Sequence, residues 1–253
     1  MKIYGEVSTH IVQSQNRDPL LRYLTYMITK LAIRYVQNGG KILDLGCGIG
    51  RTSVSLAKAG YDVTGLDVSE KAVNIARQIH KNGVAGSLHF IVGDETEPLS
   101  QKFNERFDGV VCSEVIEHVE DYQSLLAVCR SVLKEGGFLI LTTPNDPAQW
   151  TVLDDYAGHL RRFEPRPLEE KLKSSDFVVA ESFTVGFPFM RLLLKLYDYY
   201  IRKSRKKHDF KMYGRSVTYQ LIYIPLATLL LRVDSLFGWS KRGTTIVLVA
   251  QKR

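Results

Sequence analysis

The chain has 253 residues, of which 45% are hydrophobic and 24% charged, and its formal net charge is +7. That length and balance suit one large α/β domain, with or without a sizeable insertion, and a substantial core. The three cysteines, Cys47, Cys112 and Cys129, form no C-x-x-C pair and fall in apolar or glycine-rich surroundings. They argue against a disulfide framework and suit a reducing compartment. The first ten residues lack the apolar core of a signal peptide, so the expectation is an intracellular, cytoplasmic protein.

In chain order, residues 18–37 carry Leu20, Leu21, Leu24, Met27, Ile28, Leu31 and Ile33 at helical spacing, and Asn38-Gly39-Gly40 ends that helix. Strand and helix patterns then alternate. Ile42–Leu45 reads as the first strand and Thr52–Lys58 opens a helix. Tyr61–Leu66 is the second strand, and Ser69 is a good N-cap for a helix with an apolar face of Ala72, Ile75, Ala76 and Ile79. Leu88–Val92 and Phe107–Cys112 follow as strands three and four. Asp121 precedes a helix burying Leu125, Leu126, Val128, Cys129 and Val132, with Gly136-Gly137 expected to stop it. Phe138–Thr142 is strand five. Residues 145–162 read as a polar loop, Pro167–Ser174 as a helix, Phe177–Val185 as strand six and Thr244–Ala250 as the last strand. Apolar strands joined by helices predict a parallel sheet with right-handed crossovers. Residues 186–243 are too many for a plain loop and predict a helical insertion.

The most informative stretch is Lys41-Ile-Leu-Asp-Leu-Gly-Cys-Gly-Ile-Gly50: an apolar strand, an acid, then glycines on alternate positions. Glycine there permits φ > 0 and close approach of a ligand. The spacing is not the G-x-G-x-x-G of dinucleotide folds. Acids or polar residues recur after each of the next strands: Asp67 in Gly65-Leu-Asp-Val-Ser69, Asp94 in Gly93-Asp-Glu95, and Ser113-Glu114. An open parallel sheet binds ligands at the carboxyl ends of its strands. These stations, with the Glu114-Val-Ile-Glu-His-Val119 segment, resemble the class I S-adenosylmethionine-dependent methyltransferases, in particular the ubiquinone-biosynthesis O-methyltransferase-like small-molecule group.

That resemblance implies a seven-stranded Rossmann-like α/β sheet, order 3-2-1-4-5-7-6, with helices on both faces and the helical insertion between the last two strands. It implies a single domain over 1–253: an N-terminal helical segment (1–37), a core (38–185 and 244–253) and a cap (186–243) over the acceptor pocket. It implies S-adenosyl-L-methionine as cofactor, bound by Asp44, Gly46, Cys47, Gly48, Gly50, Asp67, Val68, Asp94, Glu95, Ser113 and Glu114. Asp67 is placed to take both ribose hydroxyls, Asp94 or Glu95 the adenine amino group, and Ser113-Glu114 the methionine end. If the segment after strand four is helical, Glu114, Glu117 and His118 share a face and can hold a divalent cation. The preferred reading is that Glu117 and His118 instead hydrogen-bond the turn and the cofactor loop, with no metal.

Gly158-His-Leu-Arg-Arg-Phe163 resembles segments that close over the substrate in the same broad family. His118 and His159 are the candidate bases for an oxygen nucleophile. Arg161 and Arg162 are candidates for holding a carboxylate or phosphate, or they brace the following helix. The expected reaction is methylation of a small-molecule or lipid-like acceptor, at oxygen. The alternatives are an RNA methyltransferase using the basic insertion on phosphates, with nucleic acid the less favoured partner, and a non-catalytic cofactor-binding protein. The insertion joins the apolar run Met190–Ile201 to the basic run Arg202–His208, which reads either as contact with an anionic membrane surface through 190–215, at the inner face, or as a packed helical hairpin.

Overall fold

The computed structural model describes residues 18–80, 87–94, 99, 103, 105–203, 223–238 and 240–253. Glu95 and residues 204–222, which include most of the basic run, lie outside them. The elements are α1 (Pro19–Tyr35), β1 (Lys41–Leu45), α2 (Arg51–Lys58), β2 (Asp62–Asp67), α3 (Glu70–Ile79), β3 (Leu88–Val92), β4 (Phe107–Ser113), α4 (Tyr122–Val132), β5 (Leu133–Pro144), α5 (Val152–Ala157), α6 (Pro165–Ser174), β6 (Phe177–Val185), α7 (Phe189–Lys203), α8 (Ile224–Asp234) and β7 (Thr245–Lys252).

All seven strands form one sheet in the order β3-β2-β1-β4-β5-β7-β6. β1 to β5 run parallel, but β7 is antiparallel to both of its neighbours, so the sheet is mixed rather than wholly parallel. Alternation along each strand divides the core. Leu43, Leu45, Val110, Cys112, Leu139, Leu141, Ile246 and Leu248 face α4 and α6. Ile42, Val111, Ile140, Val247 and Val249 face α1 and α2. Side chains such as Ile28, Leu43 and Leu125 are fully buried, and each contributes about 1.5–3 kcal/mol by leaving water.

Local chemistry sets the helix starts. Asp18 accepts from Leu21 N–H, and Pro19 occupies the first turn of α1. Ser69 caps α3 through Ala72 N–H, and Asp121 caps α4 through Gln123 and Ser124 N–H. Four expectations are corrected. In α1 Ile33 is 57% exposed, and the inward face is Leu24, Ile28, Leu31 and Ala32. In α3 the inward face is Ala72, Val73 and Ala76, while Ile79 is 46% exposed, because at the helix end it is His80 that lies against Phe90 of β3. Gly136-Gly137 does not stop α4; the helix ends at Val132, and both glycines lie inside the longer strand β5. There Leu133 pairs with Phe107 and Phe138 with Gly109, so the glycines absorb a bulge. The stretch 145–162 is not a plain loop: it holds a 3₁₀ turn (Pro147–Gln149) and α5, begun by a Thr151/Asp154 capping box.

Candidate active site

The site is built at the tips of β1, β2, β4 and β5. After β1 the chain turns through Gly46, Gly48 and Gly50, all at positive φ. Two of these glycines are needed for packing within the protein. A Cβ on Gly46 would lie 2.5 Å from Val115 Cγ2, and one on Gly50 would lie 2.4 Å from Phe90 Cζ. Gly50 also serves as the N-cap of α2, where its left-handed conformation starts the helix.

The tips of β1 and β2 are joined through Asp67. It is 1% exposed, and its carboxylate accepts from Gly48 N–H and from Ser69 N–H, both at 2.8 Å. Burial raises the pKa of this carboxyl, and those two backbone donors oppose the rise. Cys47 N–H donates to Leu66 O at 2.9 Å, which ties the loop to β2 by its backbone. Asp44 sits underneath, 2% exposed, and accepts from Ser53 Oγ; burial pushes its carboxyl up to about 6. Asp44 therefore anchors the start of α2 from below the loop. Val68 is 44% exposed beyond Asp67, and Asp94 is half-buried at the end of β3.

The segment after β4 is a turn and not a helix, so the i, i+3, i+4 face expected for Glu114, Glu117 and His118 does not form. Glu114 has φ 56° and turns back on β5: its N–H donates to Thr142 O, and its carboxylate accepts from Thr142 Oγ1 at 3.0 Å. Ser113 Oγ lies 2.9 Å from Thr142 Oγ1. Glu117 is fully buried. Thr143 Oγ1 donates to its Oε2 at 3.0 Å, and its Oε1 has no hydrogen-bond partner. Burial, followed by the Glu114 carboxylate, raises its pKa well above the ordinary value.

What the turn brings together is Glu117, His118 and His159, whose donor atoms lie within 4.8 Å of one another. The two imidazoles meet edge to face, with ring centroids 4.8 Å apart. His118 Nδ1 lies 3.4 Å from Gly158 O, and burial lowers its pKa to about 4, so it is neutral at pH 7. Two imidazoles and a carboxylate are a set that can hold a divalent cation; Glu114, expected in that set from the sequence, is absent from it.

His159 is oriented by a residue that the sequence reading missed. Asp154, 1% exposed, lies 2.8 Å from His159 Nδ1 through Oδ1. It also accepts from Thr151 N–H and Oγ1. Its carboxyl is held below the usual carboxylate range by His159 and Arg162, against the cost of burial. The available signal was the Thr151-x-x-Asp154 pattern, five residues before the histidine. Arg162 makes a bidentate pair with Asp154, 2.8 Å on each arm, and donates to Asn145 O at 3.0 Å. Arg161 donates to Val119 O and Glu120 O, both at 3.0 Å, and stacks over Tyr122. Both arginines thus brace the lip of the site, through the turn after β4 and through Asp154 rather than through the helix that follows them.

Residues 9–182 match the family model described as "Methyltransferase domain". The chain is 32% identical over 148 residues to a ubiquinone biosynthesis O-methyltransferase of Proteus mirabilis (strain HI4320), covering 56% of this chain and 60% of that protein. It is 34% identical over 126 residues to the enzyme of the same name in Shewanella sp. (strain ANA-3), covering 47% and 52%. The chain thus spans little more than half the length of these curated relatives. Among solved structures, it resembles magnesium protoporphyrin IX methyltransferase from Synechocystis PCC 6803 with bound SAH. The TM-score is 0.59 at 17% identity, over 98% of this chain and 90% of that one, a likeness of fold.

Proposed function

From the premise that this chain belongs to the methyltransferase domain family, we propose that it transfers a methyl group from S-adenosylmethionine to oxygen on a small-molecule or lipid-like acceptor. The observation that carries the reading is the buried Asp67 carboxylate, bonded to Gly48 N–H and lying between the tips of β1 and β2. A carboxylate beyond a glycine turn is the acceptor that a ribose diol requires. When bound, the cofactor supplies a methyl carbon on a sulfonium centre, which makes it strongly electrophilic. Gly46, Cys47, Gly48 and Gly50 shape the turn beneath it, Asp94 stands at its adenine end with Val68 beside it, and Ser113 and Glu114 stand at its methionine end. Glu95 belongs to the same assignment.

The remaining work is positioning and proton removal. His159 is the general base. Its Nδ1–H is held by Asp154, which leaves Nε2 as the acceptor for a hydroxyl proton. His118 packs edge to face against it. Glu117 lies beside the imidazole pair with its Oε1 unpaired, and Asp154 is the counter-charge for an imidazolium formed during transfer. Arg161 and Arg162 hold the lip. A cation on Glu117, His118 and His159 would compete with this use of His159, so the metal-free reading is retained. The RNA alternative rested on the basic run, where Arg202 is already paired with Asp198 at 2.7 Å and 204–208 lie outside the described residues.

Residues 186–243 form the cap in this proposal. Among the described residues no helix is long and apolar enough to cross a membrane. However, α7 leaves Phe189, Leu192, Leu196 and Tyr199, one helical stripe, 40–64% exposed, with Arg202 and Lys203 at its end. Such a stripe suits peripheral contact with an anionic lipid surface. Leu192→Asp/Leu196→Asp should abolish flotation with anionic vesicles and leave the melting temperature within a few degrees; equal flotation of variant and parent rejects this contact. The transfer itself is tested with radiolabelled cofactor and a cell lipid extract. Label should appear in an organic-soluble product whose methyl is lost under ether-cleaving conditions. Cofactor binding without transfer to any extract would leave only the non-catalytic reading.

A further inference from the structure

The molecule holds a second hollow, separate from the strand tips. It is a groove of about 1080 Å³ bounded by α1, β6 and the end of α8. Its origin is topological. On this face α1 packs against α2 on one flank and against α8 on the other. Toward the sheet edge, the β6 side chains Phe183 and Val185 form the floor of the groove. Tyr23, Tyr26 and Met27 wall it along one side of α1, and Leu231 closes it from α8. The body of the groove is therefore aromatic and aliphatic.

Two acids and two cations line it, and they are engaged differently. Its two acids are already engaged. Glu181 is taken by Arg34 (3.2 Å) and Tyr35 (2.9 Å). Asp234 is 2% exposed and accepts from the N–H groups of Phe189 and Met190. Two cations also line the groove, Arg22 from α1 and Arg232 from α8. Among the described residues neither guanidinium has a hydrogen-bonding or ionic partner. A groove with apolar walls and two guanidiniums that have no direct partner among the described residues complements a molecule that is apolar along its length and negative at one end.

We infer that this groove binds a free single-chain amphiphile with an anionic head, its chain against Tyr23, Tyr26 and Phe183 and its head drawn by Arg22 and Arg232. No lining residue belongs to the proposed methyl-transfer site, so the inference stands or falls without that chemistry. The probe is cis-parinaric acid, a fluorescent polyene carboxylate, with its methyl ester as the neutral counterpart, titrated below micelle formation into the full chain without cofactor. Parinarate should bind saturably at one site, at least tenfold tighter than the ester. Arg22→Gln/Arg232→Gln should bring parinarate down to the ester's affinity and leave the ester unchanged. Thr228→Trp, at an exposed helix position on the groove, should weaken both probes while the circular dichroism melt stays intact. Equal binding of acid and ester, untouched by the arginine pair, overturns the proposal. So does binding seen only from anionic vesicles and indifferent to Thr228→Trp, which would assign the contact to a bilayer surface.

Discussion

Asp67→Ala is expected to weaken binding of S-adenosylmethionine by about 1.5–3 kcal/mol, roughly 10- to 150-fold, the scale of a hydrogen bond to a charged group. Two losses combine. The carboxylate proposed for the ribose hydroxyls disappears, and the N–H groups of Gly48 and Ser69 lose their acceptor. The second loss loosens the turn before any ligand arrives. Asp67→Asn separates the two, because its amide oxygen can still accept from one backbone N–H while the charge is gone. It should fall between parent and alanine. Titration calorimetry with the cofactor and with its demethylated product reads both variants. Unchanged affinity for Asp67→Ala removes Asp67 from the cofactor site and, with it, the observation on which the functional reading stands.

The second large effect is expected at His159. His159→Ala should lower kcat by about 10²- to 10⁴-fold, the usual worth of a positioned general base, with cofactor affinity unchanged. Asp154→Asn probes the same step from behind. It breaks the bidentate pair with Arg162, a side chain only 9% exposed, and removes the charge that steadies a protonated His159. Its activity should be lost mainly in kcat, because the imidazole loses the carboxylate that fixes its orientation, while cofactor affinity is kept. Its melting temperature should also fall. If His159→Ala retains full kcat, the base lies elsewhere, and His118 is the remaining imidazole in reach.

Much of the sheet was legible in the sequence because its strands are short, apolar and bounded by polar or glycine residues. Phe177–Val185 matches its predicted span residue for residue. The strand order was not legible from periodicity; it came from the resemblance carried by Gly46–Gly50, Asp67 and Glu114–Val119. What resisted reading was geometry set by neighbours. Nothing in the pattern Ala72–Ile79 reveals that His80, and not Ile79, meets Phe90 of β3, so the apolar residue at the helix end reads as core. A glycine pair after a helix reads as a stop, yet Gly136-Gly137 serves a bulge whose partner, Phe107, is some thirty residues earlier. At the site, a helical spacing was assumed for Glu114, Glu117 and His118, and one residue at φ 56° breaks it. Asp154 escaped because its role depends on a turn that returns His159 and Arg162 to it, a relation that spacing alone does not encode.

The antiparallel course of β7 has a consequence for how such a chain can diversify. Val185 pairs with Thr245, so residues 186–244 leave and rejoin the sheet at adjacent backbone positions. A segment anchored at two neighbouring points is a replaceable cartridge: it can be shortened, lengthened or exchanged between homologues without re-threading a strand or opening the barrier between the two core layers. With residues 186–243 as the proposed cap, acceptor choice can drift on one rim of the molecule while the nucleoside end stays fixed, and chimeras spliced at Val185 and Thr245 should inherit their acceptor from the graft.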